Sequence, residues 1–183
     1  VTEVVRLTLV SHAMTDAMAA GRFPADEPLN DTGLRHAEAA ARLAISAGTR
    51  QFTAPERRAR QTAQLLGLQA TAEPQLADLD CGSWRGQPLD TVGSTDLALW
   101  LTDSAAAPHG GESIVNLIDR VSGWLESLAD NTLRTVAVTH PAVIRAAIVV
   151  ALNVPPTSFW RIDVTPASCI VMHFRENSWR LRL

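Results

Sequence analysis

The chain has 183 residues, 46% of them apolar, and a formal net charge of −3 at pH 7; that is the size and composition of one globular domain, expected to span residues 1–183. Its basic residues are all arginine, so any cationic contact to phosphate must come from a guanidinium, and the slight acidic excess argues against nucleic acid, whose binders carry basic faces. No signal-peptide pattern is present and no apolar run reaches the ~18 residues of a membrane span, so a cytoplasmic protein with no membrane partner is expected. Cys81 and Cys169 are the only cysteines. Two thiols so far apart form neither a metal motif nor a disulfide framework.

Residues 4–10 read as a strand buried on both faces, Arg6 excepted. Residues 16–29 read as a loop through Gly21, Pro24 and Pro28. Asn30 suits the N-cap of a helix to about residue 47, with Leu34, Ala37, Ala41, Ala44 and Ile45 inward and Gly48 beyond its end. A short strand is expected at 50–53, then a helix with Pro55 in its first turn, running to residue 66. Residues 68–73 form a weak strand, 74–95 a loop, and 95–102 a short helix. Ile114, Leu117, Ile118, Val121, Trp124, Leu125 and Leu128 recur at helical spacing. A buried strand follows at 135–139, then a helix over about 142–152. The segments 168–174 and 179–183 flank Glu176-Asn177-Ser178 as a hairpin. Strands alternating with helices predict an α/β fold, a three-layer α/β/α sandwich around a mostly parallel sheet.

Ligands of open parallel sheets bind outside the carboxyl ends of the strands. His12 and His140 each follow such an end, and Arg58 lies in the first turn after a third, where free backbone N–H groups favour an anion. Two imidazoles and one guanidinium are therefore expected around one crevice. His36, His109 and His173 read as structural or exposed. No His-x-His or His-x-x-x-His spacing exists, so neither a metal nor another cofactor is expected.

Taken together, these segments resemble the histidine phosphatase superfamily, with its phosphoglycerate-mutase-like fold. The family opens with a strand and Arg-His-Gly, and here the triplet is Ser11-His12-Ala13. PLNDTGLRHA at 28–37 is similar to the family's Pro-Leu-Thr helix start, and APERRARQTA at 54–63 to its Ser-Pro-Leu-x-Arg-Ala-x-Gln-Thr-Ala block, which aligns Arg58 with the second pocket arginine. LADLDCGSWRG at 76–86 resembles Leu-x-Glu-x-x-x-Gly-x-Trp-Glu-Gly and aligns Asp78 with the proton donor. PHGGES at 108–113 and VTHPAVIR at 138–145 complete the order.

The resemblance implies catalysis by four residues. His12 would attack phosphorus, Arg58 and His140 would hold the phosphoryl oxygens, and Asp78 would act as acid and then base. For that last role its pKa is expected to be raised by burial. Ser11, Thr15, Arg22, Arg58 and Pro141 are the expected substrate contacts, with Ser11 aimed at the crevice. The chain departs from the pattern where Ser11 replaces the first pocket arginine, Pro141 replaces a glycine, and Met18 stands at a phosphate-binding Asn. The implied function is a metal-independent phosphomonoesterase acting through a phosphohistidine on a small phosphorylated metabolite. The alternative is a weak or inactive relative that binds an anionic ligand or a protein partner. No feature of the sequence sets an oligomeric state.

Overall fold

A computed structural model describes residues 4–40, 45–130 and 133–183. Six strands form one sheet: β1 (Val5–Ser11), β2 (Arg50–Thr53), β3 (Thr71–Ala72), β4 (Arg134–Thr139), β5 (Cys169–Arg175) and β6 (Ser178–Arg182). Their order is β3-β2-β4-β1-β5-β6. The first four run parallel, and β5 and β6 are antiparallel additions beyond β1. β4 is central, and every residue after Arg134 is buried, as expected of a parallel strand covered on both faces. The β5–β6 turn places Glu176 and Asn177 at φ 52° and 61°. Two successive positive φ values make the primed turn whose twist matches a tight hairpin.

Helices α2 (Asp31–Ala39) and α3 (Arg57–Leu65) pack together as one outer layer, and α5 (Ile114–Ala129) and α6 (Pro141–Leu152) as the other. Ser113 caps α5 by accepting the Asn116 N–H. Leu117, Val121, Trp124, Leu125 and Leu128 of α5 are all 2% exposed or less, and each such side chain contributes about 1.5–3 kcal/mol on burial. No helix among the described residues is long and apolar enough to cross a membrane.

Four expectations need correction. The 16–29 segment opens with a short helix, α1 (Asp16–Ala20), because Thr15 caps it by accepting the Met18 N–H. The helix after Asn30 leaves helical geometry at Ala40 (φ −60°, ψ 135°), and Ile45, expected on its inward face, is half-buried outside any helix; Ala41 and Ala44 lie outside the described residues. Pro55 is not in the first turn of α3: Glu56 is the N-cap and keeps an extended backbone. The 74–95 loop contains single 3₁₀ turns at Pro74–Leu76, Gly82–Trp84 and Leu89–Thr91, ahead of α4 (Ser94–Thr102). A further 3₁₀ segment at Pro156–Arg161 had no periodic signature in the sequence.

The segment around residue 80 and the one around residue 110 run in backbone contact. Ser83 N–H donates to His109 O at 2.9 Å, and Glu112 N–H to Asp80 O at 2.8 Å. Glycines 82 and 111 face each other across this seam, and a Cβ on Gly111 would overlap the Asp80 carbonyl. Gly123, exposed in α5, has open space around its Cα. Gly111→Ala is therefore expected to cost about 1–3 kcal/mol by overpacking, and Gly123→Ala to gain about 1 kcal/mol of helix propensity. Denaturant unfolding of the two variants beside the parent measures both; equal effects would contradict the packing at the seam.

Candidate active site

The site begins with strand register. In the parallel β1–β4 pair Ser11 lies opposite Thr139, so the next residues, His12 and His140, leave neighbouring strands at the same level. His12 N–H donates to Thr139 O at 2.9 Å, and Ala54 N–H donates to Val138 O at 2.8 Å, bringing the end of β2 alongside. The two imidazole centroids are 5.1 Å apart at 65°. Glu56 and Arg58 follow from β2, so three adjacent strand ends deliver the polar groups.

His12 is 3% exposed. Its Nδ1 lies 2.8 Å from Ala13 O. A carbonyl only accepts, so Nδ1 carries the proton and Nε2 keeps its lone pair. Burial, followed by the charges of His140 and Arg58, lowers the pKa of His12 to about 3. Ala13 N–H donates to Thr62 Oγ1, which donates to Arg58 O; the histidine loop and α3 are thereby tied together.

Arg58 is 1% exposed. It donates one Nη to Ala25 O at 2.7 Å and the other to Asp78 Oδ2 at 2.5 Å. The expectation of a raised Asp78 pKa is wrong in sign. Burial pushes it up, but the charges of His140, Arg58 and His12 and the Leu79 N–H together hold it below the usual carboxylate range. Arg120 of α5 fixes the segment that carries Asp78. Its guanidinium forks onto Glu112 at 2.9 and 2.8 Å and donates to Gln75 O and Ala77 O at 2.7 and 2.9 Å.

His140 is fully buried and lies between two carboxylates. Its Nε2 is 2.7 Å from Glu56 Oε2, and its Nδ1 is 3.5 Å from Asp78 Oδ2. Glu56 also accepts the Asp78 N–H through Oε1 at 3.0 Å. Burial works to raise the Glu56 pKa, but the hydrogen bond and charge of His140 and the Asp78 N–H hold it below its ordinary value. Sequence reasoning missed Glu56. The signal was a carboxylate where the similar family block has leucine.

His12, Arg58 and Asp78 line one crevice of about 220 Å³ with Arg22 and Pro141; His140, expected there too, is fully buried and is not among its lining residues, and it meets the lining through Asp78, 3.5 Å from its Nδ1. Ser11 and Thr15 are corrections. Ser11 is fully buried and donates its hydroxyl to His12 O at 3.3 Å; Thr15, also fully buried, uses its hydroxyl to cap α1. Neither lines the crevice. Cys81 does, but burial and then the nearby Asp78 and Asp80 carboxylates push its thiol up to about 12, so it stays protonated and is no rival nucleophile.

A histidine buried neutral makes stability depend on pH. Between 6.5 and about 3 the unfolded chain holds the His12 proton and the folded chain does not, so this group's contribution is full above pH 6.5 and is lost as pH falls. The loss is about 1.4 kcal/mol per pH unit. Unfolding free energies measured from pH 6 to 4.5 should show a slope about that much shallower in His12→Gln than in the parent. Parallel slopes would show that His12 is not buried neutral.

Comparison with known proteins adds independent findings. Phosphoserine phosphatase 1 of Hydrogenobacter thermophilus is 27% identical over 94% of this chain and 88% of its own length. A glucosyl-3-phosphoglycerate phosphatase of Mycolicibacterium vanbaalenii is 29% identical over 86% and 78%. A bifunctional protein of Mycobacterium tuberculosis is 26% identical over 92% of this chain, which spans only 50% of that protein. Among solved structures, a mycobacterial glucosyl-3-phosphoglycerate phosphatase in complex with VO3 superposes with TM-score 0.80 at 27% identity, covering 97% of both chains. An Entamoeba histolytica phosphoserine phosphatase mutant with bound phosphoserine superposes with TM-score 0.87 at 20% identity, over 97% of this chain and 94% of that one, and shows the shared fold. The family model described as histidine phosphatase superfamily (branch 1) matches residues 7–183, and the chain belongs to that superfamily.

Proposed function

We propose that the chain is a metal-independent phosphomonoesterase that transfers the phosphoryl group of a small phosphorylated metabolite to His12. The observation that carries this reading is the state of His12. The ring is neutral, its Nδ1–H is tied to Ala13 O, and its Nε2 has no hydrogen bond among the described residues. An imidazole so held is a nucleophile with its lone pair committed to nothing else. The phosphatase names of the relatives, with phosphoserine and glucosyl-3-phosphoglycerate as their substrates, support the same reaction class.

In the first step the Nε2–P bond forms as the ester P–O bond breaks, and Asp78 gives its proton to the leaving oxygen. Arg58 and His140 stabilise the charge on the phosphoryl oxygens. Water then attacks phosphorus, its proton passes to the Asp78 carboxylate, and the N–P bond breaks to release phosphate and neutral His12. A carboxylate held low in the resting site still fits this role. A substrate arriving as the phosphate monoanion brings the proton, which Asp78 takes once the phosphoryl oxygens draw the Arg58 guanidinium from its carboxylate.

The second reading, a weak enzyme or an anion-binding relative, is favoured by the site's charge. Among the described residues Arg58 is the one guanidinium paired with the Asp78 carboxylate; Ser11 supplies none, and Glu56 adds a carboxylate beside His140. Each missing charge-assisted hydrogen bond costs about 1.5–3 kcal/mol, or roughly 10- to 150-fold in rate where it acts in the transition state.

Turnover of a phosphomonoester panel should be unchanged by EDTA and lost in His12→Ala, with acid-labile, base-stable phosphate trapped on the parent. Activity abolished by EDTA and restored by a divalent ion would overturn the mechanism, and vanadate binding without turnover would establish the second reading. Because Asp78 must carry a proton, kcat/KM should fall as pH rises from 5 to 8. A profile that climbs over this range would remove Asp78 as the acid.

A further inference from the structure

The wall of the crevice away from the reacting groups has a chemistry of its own. The chain contains five Trp, four Phe and no Tyr, and four of these rings (Phe23, Trp100, Phe159 and Trp160) line this one cavity, beside Met18 and Leu79. The rings are preassembled edge to face: Trp100 and Trp160 centroids are 6.0 Å apart, and Phe159 and Trp160 are 5.0 Å apart at 85°. Arg145 braces them. Its Nε donates to Ile162 O at 2.6 Å, and its guanidinium lies 5.6 Å from the Phe159 ring centroid. A wall already ordered in this way costs little entropy when a ligand packs against it.

Two polar atoms of this lining are buried and have no partner among the described residues: Glu27 Oε1 and Trp160 Nε1. Glu27 is held by its other oxygen, which accepts the Ala25 N–H at 2.7 Å. Oε1 can only accept and the indole can only donate. A ligand that fits would bring a donor for Glu27 and an apolar body for the rings between, with room for an acceptor at the Trp160 indole. A sugar would bring four or five hydroxyls to a wall whose polar side chains, the reacting groups apart, are Arg22, Glu27, Arg145 and the Trp160 indole, and each hydroxyl buried without a partner is costly. An apolar cavity of roughly 150 Å³ accepts benzene, and this one is about 220 Å³.

We propose that the preferred substrate is the phosphomonoester of a compact aromatic alcohol bearing a hydrogen-bond donor such as an amine, with the ring against Trp160 and the donor on Glu27. The proposal rests on the phosphomonoesterase reading above and deepens it.

The test compares esters of primary alcohols, so that leaving-group basicity does not decide the ranking: benzyl phosphate, 4-(aminomethyl)benzyl phosphate, glycerol phosphate and glucose 6-phosphate. Benzyl phosphate should exceed glucose 6-phosphate in kcat/KM at least 10-fold, and the amine-bearing ester should exceed benzyl phosphate severalfold. Trp160→Ala should collapse the benzyl preference toward unity, Trp160→Phe should retain most of it, and Glu27→Gln should erase the advantage of the amine. A protein that turns over glucose 6-phosphate or glycerol phosphate as well as the benzyl ester overturns the substrate class and leaves the phosphatase reading intact. A folded parent that hydrolyses none of the four and traps no phosphohistidine overturns the phosphatase reading, and this inference with it.

Discussion

The site depends on two parallel strands ending in step. Because β1 and β4 are paired with Ser11 opposite Thr139, the backbone holds His12 and His140 side by side before any side chain contributes. A slip of one residue in either strand would turn its histidine to the other face of the sheet. The side chains of β4 set the register, since a slip would exchange Val136 and Val138 with Thr135, Ala137 and Thr139 on two faces that are both already filled, all of them buried. Core packing and the placement of the histidine pair are thus one constraint. The same hydrophobic contacts that stabilise the sheet hold two imidazoles 5.1 Å apart.

Around this pair the charges form a closed circuit. Arg58 bonds Asp78, Asp78 faces His140, His140 bonds Glu56, and Glu56 accepts the Asp78 backbone N–H. Nearly all of these groups are out of water, where an unpaired charge is costly and a paired one is held rigidly. An entering phosphoryl group must therefore compete for donors already in use. What it gains is a preorganised set of partners, and what it displaces is the pairing that kept Asp78 ionised.

Much of the architecture was legible because it is local. The alternation of apolar strands with amphipathic helices, the histidines at two strand ends and the arginine at a helix start all lie in short windows of sequence. Glu56 was not legible as a site residue, because its partner His140 is 84 positions away and only the folded sheet brings them together. The direction of the Asp78 shift was hidden for a related reason: burial alone raises a carboxyl, and only three-dimensional placement shows that three basic groups outweigh it. Ser11 and Thr15 illustrate a different limit. Matching a motif position says where the backbone lies, but a short hydroxyl side chain bonds the nearest backbone group instead of reaching the ligand.

The glycine seam at residues 82 and 111 has a consequence for how this scaffold diversifies. Backbone meets backbone there, so the two segments tolerate neither a larger side chain nor independent movement, and the Asp78 loop, pinned also by Arg120, is rigid on that flank. Divergence among descendants of this chain is then confined to the opposite bank: residues 17–27, the start of α6 and the 159–160 aromatic pair. New ligand tastes would arise there by exchange of individual side chains, while the half of the crevice that carries Asp78 is inherited unchanged.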